Sequence, residues 1–258
     1  MAVLLCTVVL MTHEEQTPEG LIVALKKSAP SKRWQKAFEL SNELNRDPQK
    51  VRDPVVTREM IQVLRDHERF DAKTRSYMAI ALSRADSDET LEALESALED
   101  PEEEVRIYAL WSLGRSGHRE VAGRVEALLA HESPEVRKTA AYVLGALEST
   151  GSIAALQRTL TDPVEDVRWN AALALARFGN AAGYDVLRSM LDRERLSGHL
   201  RLNDAQIEGV MTNAARGLAL IQRPESIKIL ETLSKRDRNL KVRQAAFDAL
   251  RRLEGISA

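Results

Sequence analysis

The chain has 258 residues, with 37 Lys and Arg against 39 Asp and Glu, one Cys and eleven aromatic residues. A net charge of −2 excludes a globally basic nucleic-acid binder, and 44% apolar content excludes disorder. With 12 Gly and 8 Pro, a turn-rich β-sandwich or barrel is also disfavoured, so helices are expected.

The first segment, 1–16, reads as an extension, apolar and then polar. Its run Ala2 to Met11 is the longest apolar stretch, yet ten residues fall short of the roughly 20 needed to span a bilayer. Cys6 has no partner for an internal disulfide or a thiolate metal site. A reducing, cytoplasmic setting is expected, with no membrane span.

From residue 17 onward the chain repeats. Val105-Arg106, Val136-Arg137 and Val167-Arg168 are each 31 residues apart, and Thr74-Arg75 lies 31 residues upstream. Lys32-Arg33 begins a similar segment, and Val210 and Val242-Arg243 open two more, which makes seven units. Small residues recur four positions past the lead (Ala109, Ala140, Ala171, Ala214, Ala246), and Leu recurs at eight (Leu40, Leu82, Leu113, Leu144, Leu175, Leu218, Leu250). Those spacings share one helical face, so each unit holds a helix with a close-packing stripe. A second apolar-periodic segment precedes it, such as Leu91, Leu94 and Leu98, or Val121, Val125 and Leu128.

Helix starts are marked by Asp100-Pro101 and Asp162-Pro163, read as N-cap plus first helical residue. Pro18, Pro54, Pro134 and Pro224 also read as first-turn prolines, whereas Pro30 and Pro48 read as turn residues. Gly117 and Gly179 fall where left-handed helix terminators are expected. One break interrupts the period: twelve extra residues place an insertion at about 194–206, within the sixth pair.

The stretch DPEEEVRIYALWSLG from Asp100 resembles the HEAT-like repeats named after phycobilisome lyases, over about residues 17–253. The resemblance implies an all-α, right-handed α-solenoid of about seven HEAT-like helix pairs, here a single array over 17–258. It also implies that the second helix of each pair lines the inner surface. Asp100 with Arg106, Asp162 with Arg168 and Asp237 with Arg243 keep a six-residue spacing that reads as a structural ladder, interrupted where His131 and Arg69 replace the Asp.

Counting the lead position as zero, positions two, three, six and ten lie away from the packed stripe and are expected to face the inner groove. Trp34 and Trp169 hold position two, Tyr77 and Tyr108 position three, and Phe38, Trp111 and Tyr142 position six. Arg84, Arg115 and Arg177 hold position ten. Such residues bury large areas while keeping a polar handle. The candidate binding surface is therefore Tyr77, Tyr108, Trp111, Arg115, Tyr142, Trp169, Asn170 and Arg177; mutual packing of the aromatics between repeats is the competing role.

No catalytic motif, cofactor motif or metal site is read. The pairs His13-Glu14, His67-Glu68 and His131-Glu132 sit out of register with the His-Glu pairs of the similar deoxyhypusine hydroxylases. The expected function is a non-enzymatic scaffold for another protein or peptide. The resemblance also keeps a phycobilin lyase or chromophore-handling role open, and more distantly a nucleic-acid-binding or metal-dependent HEAT-like role. Oligomeric state and partner identity stay open. Charge is uneven, with fourteen acids against four bases over 86–135 and twelve bases against six acids over 195–252.

Overall fold

The computed structural model describes residues 17–199 and 202–255, and all regular structure among them is helical. The extension at 1–16 and residues 200 and 201 of the insertion lie outside the described residues. The chain forms two compact units that divide between Ser116 and Gly117.

The first unit holds three helix pairs: α1 (Pro18–Lys27) with α2 (Pro30–Arg46), α3 (Pro54–Arg65) with α4 (Ala72–Leu82), and α5 (Asp88–Ser96) with α6 (Glu103–Ser116). The second holds four: α7 (Ala122–Ala127) with α8 (Pro134–Ala146), α9 (Ile153–Thr159) with α10 (Glu165–Arg177), α11 (Tyr184–Ser189) with α12 (Asp204–Ile221), and α13 (Glu225–Arg236) with α14 (Leu240–Leu253). Within each unit the second helices stack in sequence, α2 on α4 on α6 and α8 on α10 on α12 on α14. The chain is thus an α-solenoid of helix pairs.

The stripe that defines the period is the core. Val105, Ala109 and Leu113, and likewise Val136, Ala140, Leu144, Val167, Ala171 and Leu175, are fully buried. Small residues set the helix spacing: a Cβ on Gly145 of α8 would lie 2.8 Å from the Cβ of Ala174 on α10. Gly117 and Gly179 adopt φ of +76° and +68° after α6 and α10, the conformation that stops a helix at little cost to glycine.

Helix starts differ from expectation at several prolines: Pro224 stands at the N-cap of α13 rather than inside its first turn. Pro30 opens α2 rather than lying in a turn. Pro101 and Pro163 lie two residues before α6 and α10, because the Asp100 and Asp162 carboxylates bind the i+2 amides (Glu102 N at 2.9 Å, Val164 N at 2.8 Å) and hold a bend there.

The Asp–Arg ladder runs differently from a side-chain pair within one repeat. Arg106 Nη1 donates to the Asp100 backbone carbonyl at 2.5 Å, and Arg168 and Arg243 do the same to the carbonyls of Asp162 and Asp237. The carboxylates instead reach back one repeat. Asp100 binds Arg75, and Asp162 takes a two-pronged hydrogen bond from Arg137, at 2.7 Å and 3.0 Å. Because the first bond needs only a carbonyl, Arg137 still donates to His131 O, at 3.0 Å, although the Asp is missing. Arg106 Nε is buried without a hydrogen-bond partner among the described residues.

In α12, Met211 occupies the position of the ladder arginine. Arg193, ahead of the insertion, replaces it and clasps Asp237 with bonds of 3.0 Å and 2.7 Å. The insertion itself forms a π-helical turn, Arg195–His199, and an extra turn at the start of α12, whose Asn203 and Gln206 make a capping box.

Candidate functional site

Each second helix packs against its own first helix and its stacked neighbours, so most of its circumference is covered. In α10 positions four, five, seven, eight and nine (Ala171, Ala172, Ala174, Leu175, Ala176) are all buried; Asn170 and Leu173 are half-buried and Arg177 is exposed. In α10, positions three, six and ten therefore make the open strip, and position two does not belong to it; at position three of α8 and α14, Thr139 and Ala245 are buried.

Trp169 shows the consequence. Its side chain is 7% exposed and belongs to a core cluster with Leu196 of the insertion and Ile207 and Met211 of α12. Arg195 binds Glu165 in the first turn of α10, which fixes the insertion over that turn. The expectation that Trp169 faces a partner is corrected: its indole is buried in a core cluster that Leu196 of the insertion also joins.

In the first unit the aromatics pair locally. The rings of Phe38 and Tyr77 meet edge to face, 5.4 Å apart at 61°. Lys73 Nζ sits 3.5 Å over the Trp34 ring. Burial pushes the Tyr77 phenol above its ordinary pKa, with smaller contributions from the neighbouring Tyr108 phenol and Glu104 carboxylate. Arg84 donates to Asn45 Oδ1 at 3.1 Å. Tyr108 is half-buried, whereas Trp111, 40% exposed, and Arg115 face solvent.

In the second unit, Tyr142, Asn170 and Arg177 come together in one groove of about 790 Å³. Every lining residue lies on a second helix: Tyr142 on α8; Asn170, Leu173, Ala174 and Arg177 on α10; Asn213, Arg216, Gly217 and Leu220 on α12; Arg252 on α14. Leu173 and Leu220, with Ala174 and Gly217, provide the apolar surface. Arg177 lies over the Tyr142 ring, 5.5 Å from its centroid. The Asn170 amide donates to Asp166 O at 2.8 Å, which leaves its oxygen available as an acceptor.

Asn213, Arg216 and Arg252 were not among the sequence-derived candidates. A signal existed, since they occupy positions three, six and ten of the last two repeats. The last two second helices carry no Trp or Tyr to mark that face. The groove presents three guanidinium groups, two amides and a phenol, which offer positive charge and directed hydrogen bonds. Among the described residues no three His, Cys, Asp or Glu side chains gather as metal ligands, and no helix is long and apolar enough to cross a membrane.

Comparison with curated proteins gives no significant match. Several solved structures are similar. A chain from the complex of CpcE and CpcF of phycocyanin lyase from Nostoc sp. PCC7120 is 20% identical, with TM-score 0.59, over 93% of this chain and 95% of that one. An engineered protein, 20% identical, gives 0.52 over 92% of this chain and 68% of its own, and YIBA_ECOLI, 18% identical, gives 0.50 over 93% and 98%. At such identities the likeness concerns the fold. The HEAT repeats family profile matches residues 57–125 and 121–198, more than half of the sequence, and the chain belongs to the HEAT-repeat family.

Proposed function

We propose that this HEAT-repeat protein is a non-enzymatic scaffold that binds another protein through the open strip of its second helices. Tyr142, Asn170 and Arg177 provide the main contacts, with Tyr108, Trp111 and Arg115 on the first unit's strip. The observation that carries this reading is the groove of the second unit, where an apolar floor is rimmed by exposed guanidinium and amide groups. Protein interfaces favour that mixture, because an apolar centre supplies area while arginine supplies directed bonds.

The test is affinity capture with the wild-type chain and with a variant carrying Arg177→Ala, Arg216→Ala and Arg252→Ala. Loss of a specific prey at unchanged helical circular dichroism supports the scaffold reading; identical capture contradicts it.

A second reading, a chromophore-handling lyase subunit, draws on the likeness to the phycocyanin lyase chain. Covalent transfer of a bilin to an acceptor protein in the presence of this chain would favour it over the scaffold.

A further inference from the structure

We infer that the groove of the second unit takes a short acidic peptide segment of a partner protein, with carboxylates on its arginines and an apolar side chain on its leucine floor. This rests on the scaffold reading of the same face and adds the chemistry of the partner.

The argument starts from where charge is left unspent. Elsewhere in the second unit, several cations have carboxylate partners: Arg188 with Asp185, Arg193 with Asp237, Arg195 with Glu165, Arg223 with Glu225, Arg238 with Asp204 and Lys241 with Glu208. The groove's arginines do not. Arg177, Arg216 and Arg252 are exposed, no ion pair engages them among the described residues, and no carboxylate lines the groove. Three like charges facing one cavity repel one another, and an incoming carboxylate relieves that repulsion while accepting two bonds from a guanidinium fork. Asn213, exposed on the same wall, adds an amide that can donate and accept.

The floor specifies more than an anion. Leu173 and Leu220 are half-buried, and Gly217 keeps the space between helices clear, since a Cβ there would come within 3.1 Å of Leu187 and 3.4 Å of Leu173. A free inorganic anion would leave this apolar surface uncovered, whereas a peptide carrying both carboxylate and aliphatic side chains covers it.

A nucleic acid fits less well. The adjoining depression, which shares Asn213 and Arg216, is also lined by Glu208 and Asp248. Two carboxylates thus stand where a phosphate backbone would continue, in a chain whose net charge is −2. Binding of a long polyanion needs a run of uninterrupted cations; a short acidic segment does not.

The experiment is fluorescence anisotropy of the full chain with a labelled peptide of alternating glutamate and leucine, its lysine–leucine counterpart, and a single-stranded oligonucleotide of similar length. The acidic peptide is expected to bind, more weakly as salt rises, and the lysine peptide not at all. Arg216→Glu with Arg252→Glu should weaken binding about tenfold or more, and the Arg→Lys pair should restore part of it. Both arginines are exposed, so helical content should be unchanged in all variants. Failure of the acidic peptide to bind, binding that ignores charge reversal, or preference for the oligonucleotide would each overturn the inference. So would charge-sensitive self-association in sedimentation, which would make a second copy the occupant. If the acidic peptide fails while prey capture still depends on the groove arginines, only the partner's chemistry is wrong; if capture is also independent of them, the scaffold reading falls too.

Discussion

At matching register, parts of the two units use their open strips differently. In the first unit, Tyr77 at position three meets Phe38 at position six of the preceding second helix, and Arg84 at position ten is held by Asn45. In the second, positions six and ten bring Leu173, Arg216, Leu220 and Arg252 around a cavity, and the last arginines stay unpaired among the described residues. Helical periodicity alone does not separate these outcomes. What separates them is whether the neighbouring repeat offers a complementary side chain across the stacking distance.

Below that difference the units share one internal device, and disturbing it should have the largest effect. Asp100 in the first unit and Asp162 in the second each cap a bend and neutralise an arginine, with both side chains of each pair at most 12% exposed. Asp100→Ala and Asp162→Ala should each cost about 3 kcal/mol or more, because a buried guanidinium loses its partner as well as a cap. Denaturant unfolding checks this, and similar losses in both units would show that the ladder, unlike the strip, is common to them. The Arg137 guanidinium holds the Asp162 carboxyl below its ordinary value of 3.8. Its pKa being lowered by folding, the pair's stabilisation is complete above that ordinary value and is lost as pH falls through the lower folded value. The stability gap between wild type and Asp162→Asn should accordingly narrow below about pH 4.

Glycines sharpen the comparison between packed and open surfaces within the second unit. Gly145→Ala would drive a methyl against Ala174 backbone and side chain, so a loss of about 1–3 kcal/mol is expected. Gly123, inside α7, has open space around its Cβ position, and Gly123→Ala should stabilise by about 0.5–1 kcal/mol. Thermal unfolding of the two variants gives opposite shifts if the helix stacking is as described.

The smallest effect is expected in the groove. Arg216→Ala and Arg252→Ala should change stability by less than about 0.5 kcal/mol, since exposed, unpaired side chains hold nothing in place. A larger loss would mean that these arginines belong to the structure, as Arg84 does in the first unit.

The seven pairs and their buried stripe were legible from Val105, Ala109, Leu113 and their counterparts, because a fixed period leaves one face no alternative to burial. The strip was partly legible. Asn170, Tyr142 and Arg177 followed from the wheel, but Trp169 did not, since it is buried in a core cluster that includes Leu196 from the segment that breaks the period. Arg216 and Arg252 were hidden for a different reason: an arginine on a helix is ordinary until the cavity it lines is seen to hold no carboxylate. The reach of Arg193 to Asp237, 44 residues apart, likewise has no local signature.

Hydroxyl-radical footprinting, read residue by residue on the free chain and on its mixture with the glutamate–leucine peptide, tests the open-strip account most directly. Trp111 and Tyr142 should react readily and Trp169 several-fold more slowly, with the peptide shielding Tyr142 and leaving Tyr77 unchanged. Rapid oxidation of Trp169, or a Tyr142 indifferent to the peptide, would contradict it.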